Sequence, residues 1–412
     1  MEKALLVGVN LNDGEDYLLS LEELGALAQA CDMEVVGEVE QTLPAVHKAF
    51  YIGTGKVDEV KEFAEECDAD VIIFDNSLSP MQLRNLQERL GKPIMDRSTL
   101  ILDIFAERAR TREAKLQVEV ARLQYMLPRL IGLHAALSRQ GGGSGSLSNK
   151  GAGETKLELD RRVLERRLTE LRRELKDLGA ERMTQRKRRT GSGIPRVALV
   201  GYTNAGKSTL LNSLTGADVL AENKLFATLD LTSRGVELPD GRMVLVIDTV
   251  GLIRRLPHHL VEAFKSTLEE AASADIILHV CDISDPEAAE KAQTTQMLLA
   301  ELGCGEIPVL NVLNKCDLLE NDIPEDEDTV KICAKTGEGF DRMLAAIAKK
   351  LPESSRRMSL LLPYDKGGLT ARIRESGKVF SEEYTEEGIR VDALVDKLLV
   401  KEMSEFEAAT LS

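Results

Sequence analysis

Apolar positions in the first 105 residues follow two spacings that alternate along the chain. Short runs of apolar residues are typical of buried strands, and apolar residues that recur every three or four positions are typical of amphipathic helices. Their alternation predicts an N-terminal α/β domain over residues 1–105, with a parallel or mixed sheet covered by helices. The predicted strands are Ala4–Val9, Glu34–Glu40, Val71–Phe74 and Pro93–Met95, and the predicted helices are Leu18–Cys31, Lys56–Glu66 and Pro80–Leu90.

Two long stretches with helical spacing follow, from Phe105 to Leu137 and from Leu157 to Leu178. Two such helices in succession predict a helical hairpin within residues 106–190. The segment Gly141–Gly153 between them is mostly Gly and Ser and cannot bury a core of its own. It is either a flexible linker or, at the tip of a hairpin, a loop that orders on entering a nucleic-acid cavity.

Charge is distributed unevenly along this chain, whose net charge is −16. Residues 107–196 contain 22 Lys and Arg against 11 Asp and Glu, a net charge of +11, whereas the rest contains 31 against 58, a net charge of −27. A basic segment in an acidic chain is typical of RNA binding, because neutralising phosphates releases condensed counterions. The alternative is a solvated helix face of mixed sign, although Arg186–Arg189 has no compensating acid. No apolar run approaches the ~20 residues that span a bilayer, which favours a cytoplasmic protein without membrane insertion.

Residues 196–351 are predicted to form a nucleotide domain, because Gly201–Ser208 lies between an apolar strand and a helix. Its spacing matches the phosphate loop, in which backbone N–H groups surround the α- and β-phosphates. Lys207 then reaches the β- and γ-phosphates, and the Ser208 hydroxyl binds Mg²⁺. The residues expected to bind phosphate are Asn204, Ala205, Gly206, Lys207, Ser208 and Thr209. A shorter glycine pattern at Gly53–Lys56 lacks this spacing and is either the start of a helix or a weak anion site.

Residues downstream of the phosphate loop are expected to act on the γ-phosphate. Asp248 ends an apolar run and can hold the Mg²⁺ shell through water, and Gly251 can offer its N–H to the γ-phosphate. Thr228 lies where a switch segment belongs and can give its hydroxyl to Mg²⁺, although it also fits an ordinary strand start. Lys207, Thr228 and Gly251 are therefore the expected catalytic residues, and Ser208 and Thr228 the metal ligands. Leu252 stands where Ras-type GTPases carry the glutamine that orients water, so slow intrinsic hydrolysis is expected.

The tetrapeptide Asn314-Lys315-Cys316-Asp317 after the apolar run Val309–Leu313 identifies the base. The Asp317 carboxylate can accept both guanine N1–H and N2–H, a pair of bonds that adenine cannot make, while Asn314 and Lys315 brace the pocket. The later segment Cys333, Ala334 and Lys335 can offer a backbone N–H to the guanine oxygen. The expected substrate is GTP and the expected product GDP.

The last 55 residues, 358–412, predict a small α+β domain. The predicted strands are Leu360–Pro363, Val379–Tyr384 and Gly388–Val395, around a predicted helix at Gly368–Glu375. This domain shows no catalytic set, so docking or regulation is its default role.

With these residues in hand, the chain resembles the HflX family of translational GTPases, within a larger group that includes the Obg, Era and TrmE proteins. The resemblance covers nearly the whole chain and is carried by Asp103–Arg110, Gly151–Thr155, Gly201–Ser208 and Leu256–Phe264. It implies an α/β protein in three parts: an N-terminal α/β domain with a long helical hairpin, a Ras-like P-loop GTPase domain and a small C-terminal α+β domain. It also implies binding to the large ribosomal subunit, with the hairpin and its tip loop directed at the peptidyl-transferase region.

Single positions refine that resemblance. Asn204 matches the asparagine that helps hold K⁺ in related GTPases without the catalytic glutamine, and such a cation would supply charge in the transition state. Leu252 stands where phenylalanine is usual in the family, and Cys333 stands where serine is usual. The prediction is a monomeric GTPase that is stimulated by ribosomal subunits and acts in ribosome splitting, rescue or relief of hibernation. The alternative is a non-catalytic RNA-binding or ribosome-assembly module in which GTP is only a structural ligand.

Overall fold

The computed structural model describes residues 1–12, 17–140, 150–190, 194–216, 225–226, 232–254, 271–318, 324–351 and 355–407. The chain divides into two compact units. The first comprises residues 1–180 with the segments 222–230 and 250–267, and the second comprises residues 181–221, 231–249 and 268–412. Within the described part of the chain, no helix combines the length and the apolarity that crossing a membrane requires.

The first unit begins with a four-stranded parallel sheet in the order β2-β1-β3-β4. Its elements are β1 (Glu2–Asn10), α1 (Tyr17–Ala30), β2 (Met33–Thr42), α2 (Thr54–Glu66), β3 (Val71–Phe74), α3 (Pro80–Leu90), β4 (Ile94–Asp96) and α4 (Arg97–Arg108). All four residues of β3 are buried, as is typical of a parallel strand covered on both faces. The predicted α/β fold is confirmed, and Gly53 is the N-cap of α2, so Gly53–Lys56 is the start of a helix.

The single helix predicted from Phe105 to Leu137 is wrong. The structure has two helices there, because α4 ends at Arg108 and α5 (Arg112–Gln140) begins after a break. Thr111 caps the new helix, since its Oγ1 accepts a hydrogen bond from the Ala114 N–H at 3.2 Å. The first two turns of α4 were not predicted either; Asp96 caps this helix by accepting a hydrogen bond from the Thr99 N–H at 2.9 Å.

The helical hairpin consists of α5 and α6 (Lys150–Thr190), and α6 is longer than the predicted Leu157–Leu178. Lys150–Gly153, assigned from sequence to the glycine-rich loop, already belong to α6, whereas residues 141–149 lie outside the described residues. Ion pairs cross the hairpin from Arg167 to Glu119, at 2.9 Å, and from Arg112 to Glu174, at 3.1 Å. Its apolar seam is formed by Leu116, Val120, Leu123, Leu127, Leu168 and Leu171.

The second unit contains a six-stranded sheet in the order β10-β9-β8-β5-β7-β6, parallel except for the edge strand β6. Its elements are β5 (Arg196–Val200), α7 (Lys207–Thr215), β6 (Thr232–Glu237), β7 (Met243–Asp248), β8 (Ile276–Asp282), α8 (Ala288–Glu301), β9 (Val309–Asn314), β10 (Thr329–Lys331) and α9 (Phe340–Lys350). Strands β5, β8 and β9 bury apolar side chains such as Leu199, Leu278 and Leu310 completely. This order brings the carboxyl ends of β5, β7, β8 and β9 to one edge, where ligands bind in open α/β sheets.

The same unit ends in a three-stranded antiparallel sheet in the order β11-β13-β12. Its elements are β11 (Ser355–Leu362), α10 (Gly368–Ser376), β12 (Lys378–Thr385), β13 (Gly388–Asp396) and α11 (Lys397–Met403). The predicted helix and the last two predicted strands match α10, β12 and β13 to within one residue at each end. The first strand is longer than predicted, because β11 begins at Ser355, five residues before Leu360, and α11 was not predicted. Met403 of α11 is fully buried with Met358 and Val391, so this helix closes the small core.

Candidate nucleotide-binding site

Two glycines give the loop between β5 and α7 its close approach to neighbouring backbone and side chains. A Cβ on Gly201 would lie 2.2 Å from the Val280 carbonyl oxygen of β8. Gly206 has φ +94°, and a Cβ there would lie 2.2 Å from the Asn314 Nδ2. Because only glycine fits both places, the loop lies close against β8 and Asn314. We call this loop, residues 201–208, the cradle, since free N–H groups at the N-terminus of α7 favour an anion.

Lys207 is buried in this cradle, with 6% of its surface exposed. Its Nζ donates to the carbonyl oxygens of Gly201 and Tyr202, at 3.0 and 2.8 Å. Burial lowers the pKa of Lys207 to about 8, although the Asp248 carboxylate acts in the opposite direction. An amine whose ammonium form is penalised in this way gains from an anionic ligand that restores its charge.

Ser208 and Asp248 place oxygen atoms side by side at the same edge. The Ser208 Oγ donates to Asp248 Oδ2 at 2.7 Å, and Asp248 is fully buried at the end of β7. The next residue, Thr249, donates through Oγ1 to the Leu199 carbonyl oxygen at 2.6 Å, which fixes the direction in which the chain leaves β7. A hydroxyl and a carboxylate are ligands suited to a hard cation such as Mg²⁺.

Asn314 joins the phosphate loop to the segment predicted to contact guanine. Its Nδ2 donates to the Ala205 carbonyl oxygen at 2.8 Å, and its Oδ1 accepts from the Ala334 N–H at 2.9 Å. Cys333 and Ala334 are buried, whereas the Lys335 side chain is exposed. The phosphate end and the predicted base end of the site are therefore parts of one hydrogen-bonded framework.

Lys315 and Asp317 lie on either side of a sharp turn after β9. Lys315 has φ +63°, and its Nζ forms an ion pair with Asp282 at 2.5 Å. Asp317 lies in a short 3₁₀ turn, Cys316–Leu318, and is exposed. The Asp317 carboxylate is thus open to solvent, while the Lys315 ammonium is held by Asp282.

Two residues of this framework were missed from the sequence. The Ser213 hydroxyl, on α7, donates to the Ala334 carbonyl oxygen at 2.6 Å, so the Ala334 peptide is held at both ends. No local pattern distinguishes Ser213 from another polar helix residue. Asp282, which pairs with Lys315, ends an apolar run just as Asp248 does, and that signal was present in the sequence.

The predicted residues nearest the γ-phosphate are described only in part. Thr228 and residues 255–264 lie outside the described residues, and Gly251 is buried beside Leu252, which is 4% exposed. Within the first unit, two neighbours of these positions contact α4. The Phe226 ring packs edge-to-face on Phe105 at 4.7 Å, and the Arg97 guanidinium donates to the Arg254 carbonyl oxygen at 3.3 Å.

Asn204 has φ +63° in the first half of the phosphate loop, and its side chain is exposed. Asparagine tolerates this left-handed conformation better than most residues. Its amide is therefore free to face a ligand that enters the cradle from solvent.

Family models match three successive parts of the chain. Residues 19–106 match a family described as GTP-binding GTPase N-terminal, and residues 108–189 match one described as GTP-binding GTPase Middle Region. Residues 196–315 match a family described as 50S ribosome-binding GTPase.

Individual relatives match over most of their length. A protein named GTPase HflX from Caldanaerobacter subterraneus subsp. tengcongensis is 49% identical, over 96% of this chain and 91% of its own. GTPase HflX from Escherichia coli K12 is 39% identical, over 94% of this chain and 92% of its own. A crystal structure of a GTP-binding protein from the archaeon Sulfolobus solfataricus in complex with GDP is 26% identical, over 85% of this chain and 98% of that chain, with a TM-score of 0.45.

Proposed function

This chain belongs to the HflX family of GTP-binding GTPases, and from that premise we propose that it is a GTP-driven factor of the large ribosomal subunit that splits or rescues ribosomes. Bound GTP would determine how long the protein stays on the subunit, and hydrolysis would release the protein from it. The observation that carries the proposal is a built nucleotide framework in a chain that also contains a long basic hairpin. We expect the protein to act in the cytoplasm as a monomer.

Different residues of the site would bind the phosphates and the base of GTP. Backbone N–H groups from Asn204 to Thr209 would surround the α- and β-phosphates, and Lys207 would neutralise the β- and γ-phosphates. At the other end, Asp317 would accept the two guanine N–H donors, with Lys315 along the base and the Cys333–Lys335 segment at the guanine oxygen. The framework through Asn314 and Ser213 supports this division, because it fixes both ends before the ligand arrives.

A Mg²⁺ ion fits beside Ser208. Its hydroxyl donates to the buried Asp248 carboxylate at 2.7 Å, so a cation could take the place of this hydrogen bond, with the hydroxyl keeping its proton and offering an oxygen lone pair. We propose that Ser208 binds the ion directly, that Asp248 holds its water shell, and that Thr228 adds a ligand in the GTP state. The ion, when bound, neutralises charge that develops on the phosphate oxygens.

Intrinsic hydrolysis is expected to be slow, because Leu252 is apolar and buried and cannot orient an attacking water. The Gly251 N–H and Lys207 would still stabilise the γ-phosphate. We further propose that Asn204 helps to hold a K⁺ ion beside the phosphates. If so, turnover in KCl should exceed turnover in NaCl, and Asn204→Ala should remove the difference.

The ribosome assignment depends on where the positive charge of the hairpin lies. In its middle, Arg161, Arg162 and Arg167 pair with glutamates of the hairpin, which fits a solvated face of mixed sign. The uncompensated positive charge lies toward residues 182–189, a stretch that contains no Asp or Glu. We propose that this end of α6 and the segment 141–153 contact ribosomal RNA.

Sedimentation with separated ribosomal subunits tests this proposal. Co-sedimentation with the large subunit should be strong with a non-hydrolysable GTP analogue and weaker with GDP. It should also decrease as the salt concentration rises, because the proposed contact is between basic residues and RNA phosphates. GTP turnover should rise when large subunits are added. A GTP turnover rate that large subunits do not change, together with an affinity for the subunits that the nucleotide does not change, would favour the alternative in which GTP is only a structural ligand.

Deletion of residues 141–153 tests the tip segment itself. The basal GTPase rate should remain, because the deleted residues lie outside the nucleotide framework, whereas ribosome splitting followed by light scattering should be impaired. A matched control shortens the segment by only residues 141–145. Full splitting activity in the complete deletion would show that the segment is a connector.

A further inference from the structure

Tyr202 of the cradle accepts two of the hydrogen bonds that shape this loop. Its carbonyl oxygen accepts from the Lys207 Nζ at 2.8 Å and from the Ala205 N–H at 3.3 Å. The position of the Tyr202 peptide therefore helps to fix the lysine that is expected to meet the phosphates. The same residue is buried, with 7% of its surface exposed. Any contact that holds the Tyr202 ring in place consequently also holds this peptide.

The Tyr202 ring is held by a lysine of α8. The Lys291 Nζ lies 5.5 Å from the centre of the ring, within the range of a cation–π interaction. A cavity of about 50 Å³ adjoins the two side chains, and Asp285 and Ala292 also line it. Buried rings are usually held by close packing on every side, and the cavity interrupts that packing. The contact with the cation is therefore an important restraint on the ring.

Lys291 is itself fixed by two carboxylates that come directly before α8. Its Nζ forms ion pairs with Asp285, at 2.6 Å, and with Glu287, at 3.3 Å. Burial disfavours the ammonium form, but the hydrogen bond and the charge of Asp285 outweigh burial, so the pKa of Lys291 is raised. The ring is thus in contact with a permanently charged and immobilised cation.

The segment that holds Lys291, residues 282–287, is anchored in the nucleotide framework. The Asp285 carboxylate also accepts a hydrogen bond from the Glu287 N–H at 2.9 Å, which stabilises the turn before α8. At the start of the segment, Asp282 forms an ion pair with Lys315 of the tetrapeptide predicted to contact guanine. The partners of the α8 lysine are therefore part of the site and are not mobile surface groups.

We propose that Lys291 is a positioning residue for nucleotide binding: its ammonium holds the Tyr202 ring, and the Tyr202 carbonyl in turn holds Lys207 where it receives the phosphates. Without the cation, the ring can move toward the cavity, and the peptide moves with it. Ordering the cradle would then consume part of the binding free energy. Because this loop is expected to surround the α- and β-phosphates, GTP and GDP should lose affinity by the same factor. The inference rests on the proposed binding of GTP.

Lys291→Gln in the full-length protein tests this inference, with fluorescent GTP and GDP analogues as probes. The variant should bind both nucleotides about fivefold more weakly, and Lys291→Arg, which keeps a cation over the ring, should bind them within about twofold of the wild type. Lys349→Gln is the matched control, because it removes a cation that is paired with Glu327 on the surface of the same domain. It should change neither affinity, and circular dichroism checks that each variant is folded.

A double-mutant cycle separates the ring contact from direct attraction between the ammonium and the phosphates. In a Tyr202→Leu background, Lys291→Gln should cause no further loss of affinity. The fivefold ratio between the wild type and Lys291→Gln should also persist at ~0.5 M salt, which screens attraction over longer distances.

Two results would overturn the inference alone. An equal loss from Lys291→Gln in both backgrounds would mean that the ammonium does not act through the ring, and an unchanged affinity of Lys291→Gln would mean that the cradle is positioned without it. A wild type that binds neither nucleotide in the same titration would overturn the proposed function as well, so the two failures are distinguishable.

Discussion

Of the sheets that the structure describes, one is parallel and another is parallel except for its edge strand β6, and the polar residues at their carboxyl edges are neutralised in different ways. At the edge of the N-terminal sheet, Arg97 is 3% exposed and forms ion pairs with Asp75, at 2.8 Å, and with Glu23. A neighbouring group repeats the pattern, because Arg129 and Tyr125 both bind Asp96. Protein cations and carboxylates neutralise each other there.

The edge of the second sheet is built in the opposite way. Lys207 is buried, and its Nζ donates to the neutral backbone carbonyls of Gly201 and Tyr202. The carboxyl edges of parallel strands thus hold a self-satisfied charge cluster in one sheet and a buried lysine bonded to backbone carbonyls in the other. A carboxyl edge is therefore suited to bind a ligand when its buried charge is not paired with a protein group of opposite charge.

The largest expected effect comes from the cation of the cradle. Lys207→Ala should lower GTP and GDP affinity by at least ~100-fold, because two phosphates lose their buried counter-charge. The midpoint of thermal unfolding of the nucleotide-free protein should stay the same or rise, since burying that ammonium costs free energy. Titration with a fluorescent analogue and circular dichroism measure the two quantities; retained tight binding would refute the phosphate-loop assignment.

At the carboxyl edge of the N-terminal sheet, the expected effect is a loss of stability. Arg97→Met should destabilise the N-terminal sheet by about 3–5 kcal/mol, because Asp75 and Glu23 would be left as buried, uncompensated charges. The free energy of opening, measured by hydrogen exchange of the β3 amides, should fall accordingly. Arg84→Met, which removes an exposed pair with Glu88, is the control and should change it by less than about 0.5 kcal/mol. Unchanged stability would mean that the cluster is not self-satisfied.

Base selectivity tests the far end of the cradle. Asp317→Asn should lower the preference for GTP by ~10- to 100-fold and improve binding of xanthosine triphosphate, because an amide presents a donor where the guanine N2–H needs an acceptor. Competition binding with the two nucleotides measures this change. Asp326→Asn, at an exposed loop carboxylate, is the control. An unchanged preference would remove Asp317 from the guanine site.

A smaller effect is expected where the framework only supports the ligand. Ser213→Ala removes one hydrogen bond to the Ala334 carbonyl oxygen and should weaken GTP and GDP equally, by about 1 kcal/mol or fivefold. Thr215→Ala on the same helix is a matched control, since the Thr215 hydroxyl donates to the Leu211 carbonyl oxygen within α7. Unequal effects on GTP and GDP would contradict a role at the base end.

The pH dependence of binding gives the smallest effect. The pKa of Lys207 is lowered to about 8 in the nucleotide-free protein, and bound phosphates favour the protonated amine. Above that pKa, binding must take up a proton, so GTP affinity should fall as pH rises, by about fourfold between pH 7 and pH 8.5. Isothermal titration in buffers of different ionisation enthalpy would detect the proton. Affinity that is constant to pH 8.5 would contradict the lowered pKa.

Much of this site could be predicted from the sequence because its chemistry depends on local order. The phosphate loop needs glycines, a lysine and a hydroxyl at fixed spacing before a helix, and the Asn314–Asp317 tetrapeptide follows its strand directly. Asp282 gave a similar signal, a carboxylate at the end of an apolar run, and was overlooked. Ser213 gave none, because the contact between its hydroxyl and Ala334 joins residues 121 positions apart.

Short segments of the sequence were therefore enough to predict the α/β fold class, and they are the basis for assigning the phosphate loop and the Asn314–Asp317 tetrapeptide, since periodicity and spacing are local properties. Only the tertiary structure shows the ion pairs of Arg97 with Glu23 and Asp75 and the packing of the Phe380 ring on Gly241. The physical reason is the same in each case. A buried ion pair or a ring packed on a glycine forms only when distant segments are brought within contact distance, and no local pattern records that distance.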